Sequence, residues 1–219
     1  MQMNQNLKNQ IKNNKMVCGM KNEYKRYFLQ DWQIFDAFDL PKYFCVKGDL
    51  DLSDMELTKL PDLSTVMITG RFDCSHNNLT NLAGGPVAAS VYDCSYNQLK
   101  TLRYAPKKVD VFDCAGNKLI SLADGPQYAN VYDCCYNNLV SLYGAPAFAQ
   151  YFCCSYNLLT RLTHGPLRTG IYDCSHNRLR TLRGMPHTAV EFDCSYNDSL
   201  KFKRIPMGIK QLINNQHIR

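Results

Sequence analysis

The chain has 219 residues, 45% of them hydrophobic and 20% charged, with 25 Lys and Arg against 19 Asp and Glu for a formal charge of +6. That composition is too apolar for a disordered chain and fits one globular domain. No apolar run reaches signal-peptide or transmembrane length, so a membrane is not an expected partner.

Residues 1–20 are polar and rich in Asn, Lys and Gln, and read as a flexible tail. Tyr24, Tyr27, Phe28, Trp32 and Phe35 then recur at three- and four-residue intervals, which predicts an amphipathic helix over Asn22 to Phe35. Residues 21–48 are therefore assigned as an N-terminal helical cap, with Pro41 at or beyond the helix end. From residue 49 to residue 214 the chain is periodic. Seven copies of an aromatic residue, usually Asp, then Cys, and Asn three residues later run at 20-residue intervals from Phe72-Asp73-Cys74…Asn77 to Phe192-Asp193-Cys194…Asn197. A unit so short cannot close its own core, so each copy must bury a face against its neighbours in a one-dimensional stack. A first copy, Leu50-Asp51-Leu52-Ser53, precedes them at an offset of 22, and Ile209 and Leu212 begin a decaying last one. The assignment is about eight rungs plus a partial rung, with residues 215–219 as a C-terminal tail.

Within one copy, alternation over Ala89 to Ser95 turns Ala89, Tyr92 and Cys94 inward and Val91, Asp93 and Ser95 to the opposite face of a short strand. Each return arm carries a Leu (Leu82 to Leu182) and then a Pro (Pro86 to Pro206), which removes a donor and predicts an extended or turn-like arm instead of a helix. The Asn column is read as structural, a buried amide satisfying the backbone groups of a turn.

Ala89 to Leu99 matches the leucine-rich-repeat pattern, with Tyr92 and Cys94 where Leu is usual. Residues 50 to about 214 thus resemble the bacterial 20-residue class of leucine-rich repeat found in secreted effectors of the YopM and IpaH type. The wording FDCSxNxLxxLxxxP is more specifically similar to Cys-rich leucine-rich repeat proteins of bacteriophages and large DNA viruses. The resemblance implies an α/β-type repeat solenoid, mainly β, with a parallel sheet, and a protein-binding role against a host factor. The ligase domain that follows the repeats in some effectors is not expected here.

Of the 11 cysteines, seven form the inward column from Cys74 to Cys194. Parallel neighbours sit at the strand spacing, wider than a disulfide prefers, so free thiols acting as small buried hydrophobes are expected, in a cytoplasmic setting. The column offers no C-x-x-C spacing, and no metal or cofactor is expected. Positive charge gathers at the ends: residues 1–48 hold eight basic and four acidic side chains, residues 198–219 five and one, and residues 49–197 twelve and fourteen.

The open strand face, taken as the concave one, carries four columns. They are Val91, Val111, Val131, Tyr151 and Ile171 between Arg71 and Glu191; Asp73, Asp93, Asp113, Asp133, Asp173 and Asp193, interrupted by Cys153; Ser75, Ser95, Ala115, Cys135, Ser155, Ser175 and Ser195; and His76, Tyr96, Gly116, Tyr136, Tyr156, His176 and Tyr196. Departures from a column cannot be explained by repeat duplication. They gather at Cys135, Tyr151, Cys153 and Leu158, so Val131, Cys135, Tyr136, Tyr151, Cys153, Tyr156 and Leu158 are read as an apolar anchor for a protein partner, with Asp113, Asp133 and Asp173 steering it.

No catalytic site is expected: His76 and His176 lie about 24 Å apart by strand spacing, and no His stands beside Cys135 and Cys153, which adjacent rungs can bring together. No phosphate-cradling motif occurs. Two alternatives stay open. The Asp stripe could mimic nucleic-acid phosphates, or the chain could bind DNA or RNA through Lys201, Lys203, Arg204, Lys210 and Arg219 with Lys107, Lys108, Arg180 and Arg183. By itself the chain is expected to be a monomer.

Overall fold

The computed structural model describes residues 44–201 and 207–214. Eleven strands follow in chain order: β1 (Phe44–Val46), β2 (Leu50–Asp51), β3 (Val66–Ile68), β4 (Arg71–Asp73), β5 (Val91–Asp93), β6 (Val111–Asp113), β7 (Val131–Asp133), β8 (Phe148–Cys153), β9 (Arg168–Asp173), β10 (Ala189–Asp193) and β11 (Ile209–Ile213). Nine of them make one sheet in the order β11-β10-β9-β8-β7-β6-β5-β4-β2, every pairing parallel. The register follows the repeat, with Tyr92 opposite Phe112 and Tyr132 opposite Phe152. Among the described residues there is no helix, and the return arms are turns and extended segments joined by bridges such as Lys108 to Tyr128. The chain is a parallel-strand solenoid, mainly β, as the 20-residue period predicts.

The predicted helix over residues 22–35 lies outside the described residues. At residues 44–46, inside the assigned cap, β1 pairs in parallel with β3 and continues the row of return arms. β11 keeps the sheet in register as far as Ile213, opposite Asp193.

Asn binds rung to rung. Asn137 is buried; its Nδ2 donates to the carbonyls of Cys114 at 3.0 Å, Cys135 at 3.1 Å and Cys134 at 3.3 Å, and its Oδ1 accepts from the Leu119 N–H at 3.0 Å. The same set recurs at Asn97, Asn117, Asn157 and Asn177, and at Asn77 the first rung is tied through Leu57 N–H and Leu52 O. The inward thiols also reach the next rung, Cys94 donating to Asp113 O at 3.2 Å and Cys134 to Cys153 O at 3.0 Å. This gives Cys an advantage over Ala or Val at that position: it fills a small site and also donates. The column cysteines from Cys74 to Cys194 form no disulfide, and burial pushes the thiols from Cys74 to Cys174 well above the ordinary range, which makes them poor nucleophiles.

The core rings alternate in size. Phe72, Tyr92, Phe112, Tyr132, Phe152, Tyr172 and Phe192 are fully buried and tilted against one another at centroid distances of 5.0 to 5.9 Å. Each Tyr hydroxyl lies where the return arm has a glycine: a Cβ on Gly85, Gly125 or Gly165 would come within 2.5, 2.8 or 2.6 Å of the hydroxyls of Tyr92, Tyr132 and Tyr172. The equivalent positions on the Phe rungs hold Ala105, Ala145 and Met185. On the Ala105 and Ala145 rungs ring and arm therefore trade one heavy atom, keeping the layer volume constant.

Two outcomes follow for stability. Asn137→Ala strands an N–H and carbonyls in the core, so urea denaturation should show a loss on the order of 3 kcal/mol, while the exposed neighbour Asn138→Ala changes stability by less than about 0.5 kcal/mol. Gly125→Ala alone should cost about 1–3 kcal/mol through overpacking. Adding Tyr132→Phe should recover most of that, because the pair then copies Ala105 and Phe112; a double variant as unstable as Gly125→Ala would refute the trade.

Candidate functional site

The Asp column ends the strands and turns the chain. Each aspartate accepts the N–H two residues on: Ser75 to Asp73 at 2.9 Å, Ser95 to Asp93 at 3.0 Å, Ala115 to Asp113 at 2.9 Å, Cys135 to Asp133 at 2.9 Å, Ser175 to Asp173 at 2.9 Å and Ser195 to Asp193 at 2.8 Å. The hydroxyls of Ser75 and Ser95 add a second donor at 2.7 Å. Ser75, Ser95, Ala115, Ser155, Ser175 and Ser195 are buried, so the third column does not line an open face as expected; the Ser75 and Ser95 hydroxyls serve the turn. Only Cys135 in that column is half-buried.

Charge along the Asp column is uneven. Arg71 spans two rungs, its Nη2 2.8 Å from Asp73 Oδ2 and 2.6 Å from Asp93 Oδ2. Burial raises Asp73, but the Ser75 hydroxyl and N–H and the Arg71 guanidinium outweigh it and hold the carboxyl below its ordinary value. Ala115 gives Asp113 no hydroxyl donor, and among the described residues Asp113 forms no ion pair. Burial, with the neighbouring Asp93 and Asp133 charges, lifts its pKa to about 7 against the N–H bond from Ala115.

The fourth column is a stack of rings. Tyr136, Tyr156, His176 and Tyr196 lie face to face at centroid distances of 4.2, 4.0 and 4.1 Å, within 14° of parallel, and His76 stacks on Tyr96 at 4.6 Å. Gly116 separates the two groups, and a Cβ there would meet the Tyr96 ring at 2.8 Å. All seven positions are left-handed, with φ from 50° to 64°. That conformation costs a Tyr or His about 1–2 kcal/mol, and ring stacking, worth about 0.5–1.5 kcal/mol per pair, offsets part of it. The tyrosines stay 41 to 53% exposed.

Of the residues read as an anchor, Tyr136 and Tyr156 are exposed and stacked, and Val131 and Tyr151 are half-buried partners across β7 and β8. Leu158, Asp113, Asp133 and Asp173 are half-buried. Cys153, expected to face the partner, is 4% exposed, its Sγ 3.1 Å from Ser155 Oγ and 3.7 Å from Asp173 Oδ2. The donor atoms of Asp133, Cys135 and Cys153 all fall within 4.8 Å of one another. His176 and Tyr196 join the ring stack although the apolar departures did not select them; their place in the same column was the available signal.

No protein-family model matches the chain, and no curated protein does. Among solved structures it is similar to YopM from Yersinia enterocolitica WA-314, at 23% sequence identity and a TM-score of 0.49, over 72% of this chain and 40% of that one. The chain thus matches less than half the length of that protein. Among the described residues no helix is long and apolar enough to cross a membrane.

The Asp113 environment makes a signed prediction. In the folded state its carboxyl holds a proton up to about pH 7, against an ordinary value of 3.8. Between those values the folded state binds more protons than the unfolded one, so this stabilising contribution is complete below the lower value and is lost as pH rises to the upper. Asp113→Asn, neutral throughout, should be more stable than the parent at about pH 8 and should flatten the decline, as read from urea midpoints across that range. Parallel pH profiles for the two proteins would refute it.

Proposed function

We propose that the chain is a non-enzymatic binding scaffold that captures a protein on the open side of its nine-stranded sheet, with the rung of Tyr151 and Tyr156 at the centre. The observation that carries this is the exposed ring stack of Tyr136, Tyr156, His176 and Tyr196, flanked by the apolar Val131, Tyr151 and Ile171. Stacked rings are already immobilised, so a partner that lays side chains across their edges and hydroxyls loses little further rotamer entropy. The second carboxylate oxygens of Asp133 and Asp173, and that of Asp113 above about pH 7, favour a partner with a basic segment. The resemblance of the repeat to secreted effectors supports a host protein as that partner.

The geometry gives less support to nucleic acid. Rings stacked at 4.0 to 4.2 Å leave no slot between them for a base, and the carboxylates beside them repel phosphates. A phosphate mimic would need the whole Asp stripe free, yet each of its aspartates spends one oxygen on a turn and two are also paired to Arg71.

Affinity capture with the wild-type chain should retain a prey that a folded Tyr151→Ala, Tyr156→Ala variant loses, and the interaction should survive moderate salt. Equal capture by the variant moves the site elsewhere. A steeply salt-sensitive mobility shift with DNA or RNA would favour nucleic acid instead.

A further inference from the structure

The two cysteines that break the face columns converge on one point. Asp133 lies directly opposite Cys153 in the β7–β8 register, and Asp173 opposite it on the other side, in β8–β9. Cys135 follows Asp133 by two residues on the same face, and its thiol is pushed up by its contact with Cys153, by burial and by Asp133. Neither cysteine is required by the repeat: other rungs use Ser or Ala where Cys135 stands and Asp where Cys153 stands.

We propose that Asp133, Cys135 and Cys153 form a three-donor binding site for a thiophilic divalent cation, zinc by preference, on the open face of the solenoid, its fourth position taken by water or by Asp173 beside Cys153. The separations suit it. In a tetrahedral zinc site, Zn–S near 2.3 Å and Zn–O near 2.1 Å set the donors about 3.5–3.8 Å apart. The Asp133, Cys135 and Cys153 donors lie within 4.8 Å of one another, so closing these three on a metal asks for movements of about 1 Å; Asp173 Oδ2 stands beside them, 3.7 Å from Cys153 Sγ. Each aspartate keeps one oxygen on its turn N–H and leaves the other for the metal. The Ser155 hydroxyl, 3.1 Å from Cys153 Sγ, is placed to donate to the thiolate that metal binding would create.

Two sulfur donors select against magnesium and calcium. The cation would also relieve the crowding of carboxylates along β6, β7 and β9. Binding must displace the thiol protons, so uptake should release protons and weaken as pH falls. No sequence motif announces this set: its cysteines are 18 residues apart, one repeat less two, and only the stacking of rungs brings them together.

The test is titration of the reduced, oxygen-free protein with Co²⁺ as the optical probe and Zn²⁺ as competitor. The expected result is one ion per chain, thiolate-to-cobalt charge-transfer absorption with tetrahedral visible bands, and displacement by Zn²⁺. Cys135→Ser and Cys153→Asp restore what other rungs carry, so both should fold, and each should lose the absorption. Tyr136→Ala should keep it. Absence of the bands in the wild type, or their persistence in both cysteine variants, overturns the proposal. So does a Cys135–Cys153 disulfide that forms in air with no metal uptake after reduction.

Discussion

The solenoid depends on the buried asparagine amide. The backbone turns sharply after each strand and leaves N–H and C=O groups pointing into the core, where water cannot reach them. Asn can donate and accept at once, and at Asn117 it serves Cys94 and Cys114 carbonyls together with the Leu99 N–H, joining two rungs through one side chain. A shift of the repeat by one residue would break every such bridge, so the amide fixes register as well as satisfying the turn.

With register fixed, the remaining positions become lines. Inward lines must fill constant volume, which the chain solves by alternating Tyr with Phe against Gly with Ala or a larger residue. Outward lines are constrained differently. The aspartates are held by the turn they cap, so their presence along the face needs no partner to explain it; what they offer outward is the second carboxylate oxygen. The left-handed column before each Asn is different again, since its strained backbone is filled with rings that stack. Ring and carboxylate columns side by side give a face with rigid amphipathic contacts next to negative charge.

Several features could be read from the residues. The period, the inward Cys and aromatic columns, the structural Asn and the helix-free return arms all rest on local pattern, and all appear in the structure. The buried Ser column was not legible, because alternation reports which face a side chain leaves from and says nothing of whether a neighbouring carboxylate then covers it. Cys153 was misplaced for the same reason: outward from the strand, it is nonetheless enclosed by Ser155 and Asp173. The helix expected over residues 22–35 lies outside the described residues.

The sequence by itself determined the stack, since a 20-residue unit with repeated apolar positions has no other way to bury them. It also determined which residues share a column. Only the tertiary structure decided how far neighbours in a column reach one another: that Tyr136, Tyr156, His176 and Tyr196 lie parallel in contact, that Asp113 has, among the described residues, neither the hydroxyl donor nor the ion pair that hold Asp73 ionised, and that Cys135 and Cys153 close on Asp133. Those outcomes turn on side-chain direction and spacing of a few ångströms between rungs, distances that a one-dimensional period cannot encode.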